Sequence, residues 1–296
     1  MRQVVAHMSK HSLLAQARAF LLDMDGVLYR GEEPLPGAKE LVAYLRERAL
    51  GIRFVTNNST LHRRDYVRKL KQMGITASPE EIVTSGSAAA DYLARRYLPR
   101  GKGRVHVLGE RGLRTELRER GLTLVDQGPA DVVVVGMDTH LTYAKIAAAS
   151  AAILNGAKFI ATNPDRRFPS EEGLIPGAGS IVAAVAAASG VEPKIIGKPE
   201  TPMLTEALRT LRVPASRAVV VGDGWQTDVP AARKLGAFCV LLLTGVTTRA
   251  QLRRAPLQPD LVCADLPALL RLLNAIWCQT RNRGTAAIRC QTRNCV

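Results

Sequence analysis

The sequence predicts an α/β protein, a parallel sheet covered on both faces by helices, with a second α/β unit inserted into the first. Three observations carry this. Short apolar runs alternate with helically spaced stretches along most of the 296 residues, the pattern of strands joined by crossover helices. Several of those runs end in polar residues, where a strand would reach the sheet edge. Two Gly/Pro-rich stretches, at 99–103 and 173–179, bracket a block in which the alternation restarts.

Taken in order, the first apolar run is Phe20-Leu21-Leu22, ending in Asp23-Met24-Asp25-Gly26. In extended backbone, residues two apart point to the same side, so Asp23 and Asp25 face one spot just past the strand. Ligands of open α/β sheets bind there. Two converging carboxylates repel each other unless a cation or a proton relieves the charge. Taken alone, the stretch reads equally well as a solvated turn. Ala38, Leu41, Val42 and Leu45 then mark a helix over 37–48. Ile52-Arg53-Phe54-Val55 reads as a second strand, ending in Thr56-Asn57-Asn58-Ser59. A helix follows through Tyr66, Leu70 and Met73, stopped by Gly74. Ile82-Val83 leads into Thr84-Ser85-Gly86 and an Ala-rich helix to about Tyr97.

Beyond the 99–103 linker, strands are predicted at 104–108, 132–135 and 159–161, and helices at 110–120 and 142–154. A helix over 180–189 is expected to return to the first block. Ile195-Ile196 leads to Gly197-Lys198-Pro199 and a helix over 202–211. The apolar strand 218–221 ends in Gly222-Asp223-Gly224-Trp225-Gln226-Thr227-Asp228. A strand at 238–243 and a helix at 265–274 complete the pattern. The predicted division is an outer unit of residues 1–84 and 179–274, an inserted unit of 85–178, and a disordered basic tail of 275–296. In that tail Cys278-Gln279-Thr280-Arg281-Asn282 recurs as Cys290-Gln291-Thr292-Arg293-Asn294, with too little apolar content to pack.

Composition narrows the function. The net charge is +15, of which four arginines lie in 275–296. Such an excess could attract nucleic acid, an anionic membrane or phosphorylated substrates. No basic run is interleaved with aromatics, so nucleic acid is not an expected partner. No run of ~20 apolar residues spans a bilayer, and no apolar core precedes a cleavage site at the N-terminus. The five cysteines form no Cys-x-x-Cys pair, which argues against zinc. Their odd number suits a reducing cytoplasm, the expected location.

Four strand ends now combine: Asp23 with Asp25, Thr56 with Asn57, Lys198, and Asp223 with Asp228. A parallel sheet brings such ends to one edge. Asp23 is placed as a nucleophile toward phosphorus, and Asp25 as the acid that protonates the leaving alcohol and then the base that deprotonates water. Mg²⁺ takes oxygen ligands, supplied by Asp23, the Asp25 backbone carbonyl and Asp223, with Asp228 an outer partner. Thr56, Asn57, nearby backbone N–H groups and Lys198 hold the phosphoryl oxygens. Gly177-Ala178-Gly179 lacks the third glycine of a dinucleotide fingerprint.

The motifs Asp-Met-Asp-Gly-Val-Leu, Val-Thr-Asn-Asn-Ser, Gly-Lys-Pro and Gly-Asp-x-x-x-Thr-Asp, in this order, resemble the haloacid dehalogenase-like (HAD) superfamily. Leu28-Tyr29-Arg30-Gly31, Ile-Ala-Thr-Asn-Pro-Asp at 160–165 and Ile-Pro-Gly-Ala-Gly-Ser at 175–180 are similar to its large-cap IIA subgroup, the NagD-like and 4-nitrophenylphosphatase-like phosphatases. The resemblance covers roughly residues 17–274. It implies a Rossmann-like core, an inserted α/β cap that closes over the site and Mg²⁺ dependence. The implied substrates are small phosphomonoesters: sugar phosphates, phosphoglycolate, nucleoside monophosphates, pyridoxal phosphate or 4-nitrophenyl phosphate. It implies the roles above for Asp23, Asp25, Thr56, Lys198, Asp223 and Asp228, and is compatible with a homodimer through the cap. The fourth motif departs from the usual Gly-Asp-Arg/Asn-Leu-x-Thr-Asp at Gly224 and Trp225. An altered pocket rim there makes a catalytically idle, phospho-ligand-binding relative the alternative.

Overall fold

The run Ala19–Asp23 forms a strand at the heart of a six-stranded sheet. The order across the sheet is Leu261–Cys263, Phe238–Leu242, Ala218–Gly222, Ala19–Asp23, Gly51–Thr56 and Ile82–Thr84, with every pairing parallel. The chain builds outward from Ala19–Asp23 on one side, then resumes on its other side at Ala218–Gly222. The strand order therefore reverses at Ala19–Asp23, which opens a crevice at the carboxyl ends of the strands. This computed structural model describes residues 10–97, 103–170 and 173–284. Most of the predicted linker at 99–103 and the second Cys-Gln-Thr-Arg-Asn copy lie outside the described residues.

Alternation along the central strands separates two apolar layers. Phe20, Leu22, Phe54, Val219 and Val221 face the helices Ala38–Glu47, Arg63–Gln72 and Leu266–Gly284. Leu21, Val55 and Val220 face the helices Ser85–Arg96, Pro202–Leu211 and Asp228–Leu235. Strands this apolar on both sides are what a doubly covered parallel sheet requires.

The middle of the chain builds a second parallel sheet, in the order Lys194–Ile195, Lys158–Ala161, Val132–Val135, Arg104–Leu108 and Thr123–Val125. Two expectations are corrected here. The helix Ala178–Ser189 does not return to the first sheet: Ile181, Val182 and Val185 pack with Ala149, Ile153, Val133 and Phe159 of the second. The strand Lys194–Ile195 also pairs within the second sheet, so that unit runs well past residue 178. The helix Ser85–Arg96, assigned above to the inserted unit, is a shared layer. Its small side chains Ala88, Ala89 and Ala90 are buried in one apolar cluster with residues of both sheets. The Gly/Pro-rich stretch at 173–179 is also more ordered than a loop, since Gly173–Pro176 pairs antiparallel with Arg167–Ser170.

The last helix is longer than predicted, Leu266–Gly284 rather than 265–274. Ile276 extends the stripe of Leu266, Leu269 and Leu273 and is 5% exposed. The Trp277 ring stacks on Tyr44 with centroids 5.5 Å apart. The expected loose tail therefore does not start at residue 275. Among the described residues no helix is long and apolar enough to cross a membrane.

Replacing Ile276 and Trp277 together by alanine should lower stability by about 3–5 kcal/mol, the range for deleting buried large side chains. A urea unfolding midpoint equal to that of the parent would contradict the packed helix end.

Candidate active site

Register assembles the site. Leu22 lies beside Val221, and Asp23 beside Val55. Asp23, Thr56 and Asp223 therefore emerge at neighbouring positions on one sheet edge. Beyond Asp23 the chain turns at Gly26, where φ is +76° and a Cβ would stand 2.5 Å from the Asp223 carboxylate. Only glycine meets both conditions.

One oxygen each of Asp23, Asp223 and Asp228 fall within 4.8 Å of one another. Lys198 Nζ lies 2.8 Å from Asp23 Oδ2 and 2.7 Å from Asp228 Oδ1, with 2% of the lysine exposed. The other Asp23 oxygen accepts the Met24 N–H at 2.9 Å. Asp223 Oδ2 accepts the Val246 N–H at 2.6 Å. Asp228 is fully buried, and its Oδ2 accepts from the Gly224 N–H and the Thr227 hydroxyl. Asp228 thus meets three protein donors with 1% of its side chain exposed, against 13% for Asp23, which suits an outer partner better than a direct ligand.

The electrostatics follow from three acids facing one base. Burial pushes the Asp23 pKa well above the usual carboxylate range; Lys198 pulls it down, while Asp228 and Asp223 push it further up. Asp223 is raised to about 6 by burial and by the Asp228 charge. Burial would depress Lys198, but Asp228 and Asp23 overcome it and raise the ammonium pKa. The cluster carries two more negative than positive charges and wants a cation.

Two other described clusters have metal-like spacing, His62 with Glu116 and Glu119, and Glu110 with Asp138 and His140. In the first, Arg63 Nε sits 2.9 Å from Glu116 and Arg64 lies 3.6 Å from Glu119. In the second, Lys145 Nζ sits 2.8 Å from Asp138. Arg63 and Arg64 offset both acids of the first cluster and Lys145 one of the two in the second, whereas Lys198 leaves the Asp23 group with the largest excess of acid, so a hard divalent ion fits best there.

Asp25 does not join the trio. It stands on the solvent side of the turn, where Gly26 donates its N–H to the Tyr29 carbonyl. The surrounding protein mass raises its pKa, partly countered by Lys69. Thr56 is buried beside the Tyr66 phenol, and its hydroxyl oxygen accepts the Asn58 N–H at 3.1 Å.

Three expectations change. Asn57 was grouped with the phosphate-holding residues, but its side chain is spent elsewhere. Its amide donates to the Lys198 carbonyl and to Asp165, and its oxygen accepts the Lys198 N–H. No side-chain donor remains for a phosphoryl group. Lys198 itself follows a strand of the second sheet rather than one of the first. Trp225, suspected of altering the rim, is half-buried against the apolar layer, and its N–H donates to Thr247. Asp165 was overlooked as a site residue. It follows an apolar strand and a polar turn, the same pattern that marked the other strand ends.

The chain matches the family described as haloacid dehalogenase-like hydrolase over residues 20–123, and a HAD-hydrolase-like family over 195–269. An acid sugar phosphatase of Staphylococcus haemolyticus is 39% identical over 84% of this chain and 94% of its own. The crystal structure of a 4-nitrophenylphosphatase from Thermotoga maritima superposes with a TM-score of 0.82 at 37% identity, covering 88% of this chain and 98% of that one. A glycerol phosphate phosphatase from Mycobacterium tuberculosis, solved with magnesium, has a TM-score of 0.79 at 33% identity, over 87% and 77%. The fold and site define a hydrolase with a Rossmann-like core and an inserted α/β cap. The protein belongs to the haloacid dehalogenase-like hydrolases.

Magnesium added to EDTA-treated protein should raise its melting temperature by several degrees, since an ion at 100 times its Kd stabilises by about 2.7 kcal/mol. Asp223→Asn should remove most of that rise, and an undiminished shift in the variant would place the ion elsewhere. Asp228→Ala, which strips Lys198 of a buried partner, should cost about 3–5 kcal/mol in denaturant unfolding.

Proposed function

We propose that the protein is a Mg²⁺-dependent phosphatase of small phosphomonoesters that works through an aspartyl-phosphate on Asp23. The observation that carries this reading is the convergence of Asp23, Asp223 and Asp228 on the buried Lys198 ammonium at the strand reversal. Family membership and the phosphatases among the relatives support it.

The steps follow from the side chains. A carboxylate oxygen of Asp23 attacks phosphorus as the bond from phosphorus to the leaving alcohol breaks. Asp25, on the solvent side and with a raised pKa, gives its proton to the departing oxygen. It then takes a proton from the water that attacks the acyl phosphate, which frees inorganic phosphate and restores Asp23. Lys198 and the Thr56 hydroxyl hold the phosphoryl oxygens as their charge shifts. Asp23, the Asp25 carbonyl and Asp223 would hold Mg²⁺, whose charge offsets the excess of carboxylates and that of the phosphate. The inserted α/β unit carries substrate choice among sugar phosphates, phosphoglycolate, nucleoside monophosphates and aryl phosphates. The unpaired thiols of Cys239 and Cys263 suit a reducing, cytoplasmic setting. The packing of Trp225 against the apolar layer supports this reading over the idle alternative, for which Gly224 is the remaining departure.

Phosphate release from 4-nitrophenyl phosphate with Mg²⁺ should be readily measured in the wild type and fall to background in Asp23→Asn. Asp25→Asn should lose about 100- to 10,000-fold in kcat. A panel of phosphate esters run side by side ranks the substrates. Full activity in Asp23→Asn would contradict the mechanism, and no activity on any ester would contradict the function.

A further inference from the structure

Lys198 is an ion-pair partner of Asp23, yet its backbone comes from the other sheet. It lies three residues beyond the strand Lys194–Ile195, and the intervening residues stay in register, with Ile196 and Gly197 donating their N–H groups to Ala161 and Thr162. The ammonium therefore reaches the first sheet from a mooring on the second. What joins the two is Asn57, the residue directly after Thr56.

The Asn57 side chain grips the Lys198 peptide on both sides. Its Oδ1 accepts the Lys198 N–H at 2.8 Å, and its Nδ2 donates to the Lys198 carbonyl at 2.8 Å. The second Nδ2 hydrogen goes to Asp165 Oδ2 at 2.9 Å. Asp165 lies in the turn after the second-sheet strand Lys158–Ala161. The same turn holds Asn57 again through Asn163, which donates to the Asn57 carbonyl at 2.7 Å and accepts the Asp165 N–H at 3.1 Å. Crowding enforces this arrangement: a Cβ on Gly197 would stand 2.5 Å from Asn57 Oδ1. A carboxylate that accepts one amide hydrogen sets which way the amide faces. With Asp165 present, the Asn57 oxygen must point at the Lys198 N–H.

We propose that Asn57 and Asp165 are positioning residues that clamp the Lys198 peptide where the two sheets meet, and so hold its ammonium between Asp23 and Asp228. The inference deepens the phosphatase reading and rests on it for its kinetic test. Neither side chain touches the phosphoryl group; both act through the lysine. The clamp also makes the posture of the second unit felt at the reaction centre, because Asp165 and Lys198 are both moored to that unit.

The test uses the full chain with 4-nitrophenyl phosphate and Mg²⁺. Asn57→Ala and Asp165→Ala should lower kcat by about tenfold or more, since a displacement near 1 Å costs about 100-fold, while KM moves by less than about threefold. Asp165→Asn keeps an oxygen acceptor and should restore most of kcat. In a Lys198→Ala background, the Asn57→Ala change should alter the residual kcat by less than about twofold, the non-additivity expected of groups acting as a unit. Equal losses with and without Lys198, or a lowered melting temperature with kcat intact, would overturn the clamp. Hydrogen exchange supplies a readout free of activity. In Asn57→Ala, amides over 194–201 should exchange about tenfold faster while those of Val132–Val135 and Ala218–Gly222 stay unchanged. If the wild type hydrolyses no ester, the proposed function fails and exchange alone decides this inference. Unchanged exchange over 194–201 would then refute it.

Discussion

Three carboxylates and one ammonium are held out of water at a single point, and the rest of the structure is arranged to keep them there. Taking such groups from water is costly unless each is paired or hydrogen-bonded. Asp228 spends both oxygens on Lys198 and the Gly224 turn, Asp223 leans on the Val246 N–H, and Asp23 has the Met24 N–H and Lys198. Even so, the charges do not balance, and the raised pKa values of Asp23 and Asp223 express that imbalance. A fold selected for stability alone would place apolar side chains here. Retaining the excess acid is what the proposed cation site requires.

The architecture explains how so dense a cluster is reached. The reversal of strand order beside Ala19–Asp23 opens a crevice at the end of that strand. The second unit is bound to the same place. Gly112 donates its N–H to the Thr60 carbonyl, Arg63 meets the buried Glu116, and Asn163 holds the Asn57 carbonyl. All of these fall on residues 57–63, directly downstream of Thr56. The loop directly after Thr56 is thus also the platform on which the second unit rests.

Much of this was legible in the sequence. The central strands announce themselves as short apolar runs, and the acids stand where those runs end. Asp23, Asp223, Asp228 and Lys198 could be gathered from that pattern and from the family motifs. What escaped was partnership between sheets. Lys194–Ile195 is a two-residue strand, too short for any periodicity to say which sheet it joins. The helix Ala178–Ser189 is apolar and Ala-rich, so its composition fits either sheet equally. Asn57 looked like a phosphate ligand because it follows Thr56, and only the hydrogen-bond geometry shows its amide to be fully occupied. Asp165 escaped because its strand was assigned to the inserted unit, away from the edge where the other strand ends meet, and only the fold brings its carboxylate to Asn57. The helix end at Ile276 and Trp277 was hidden by the polar repeat that begins beside it.

The central claim is that the excess acid at the strand reversal is a cation site in contact with the attacking carboxylate. A crystal grown in millimolar Mg²⁺ examines it most directly. The account predicts one octahedral ion about 2.0–2.1 Å from carboxylate oxygens of both Asp23 and Asp223, with Lys198 still paired to Asp228. An ion bound at the Glu116 or Asp138 clusters instead, or Asp23 and Asp223 drawn apart with no ion between them, would contradict it.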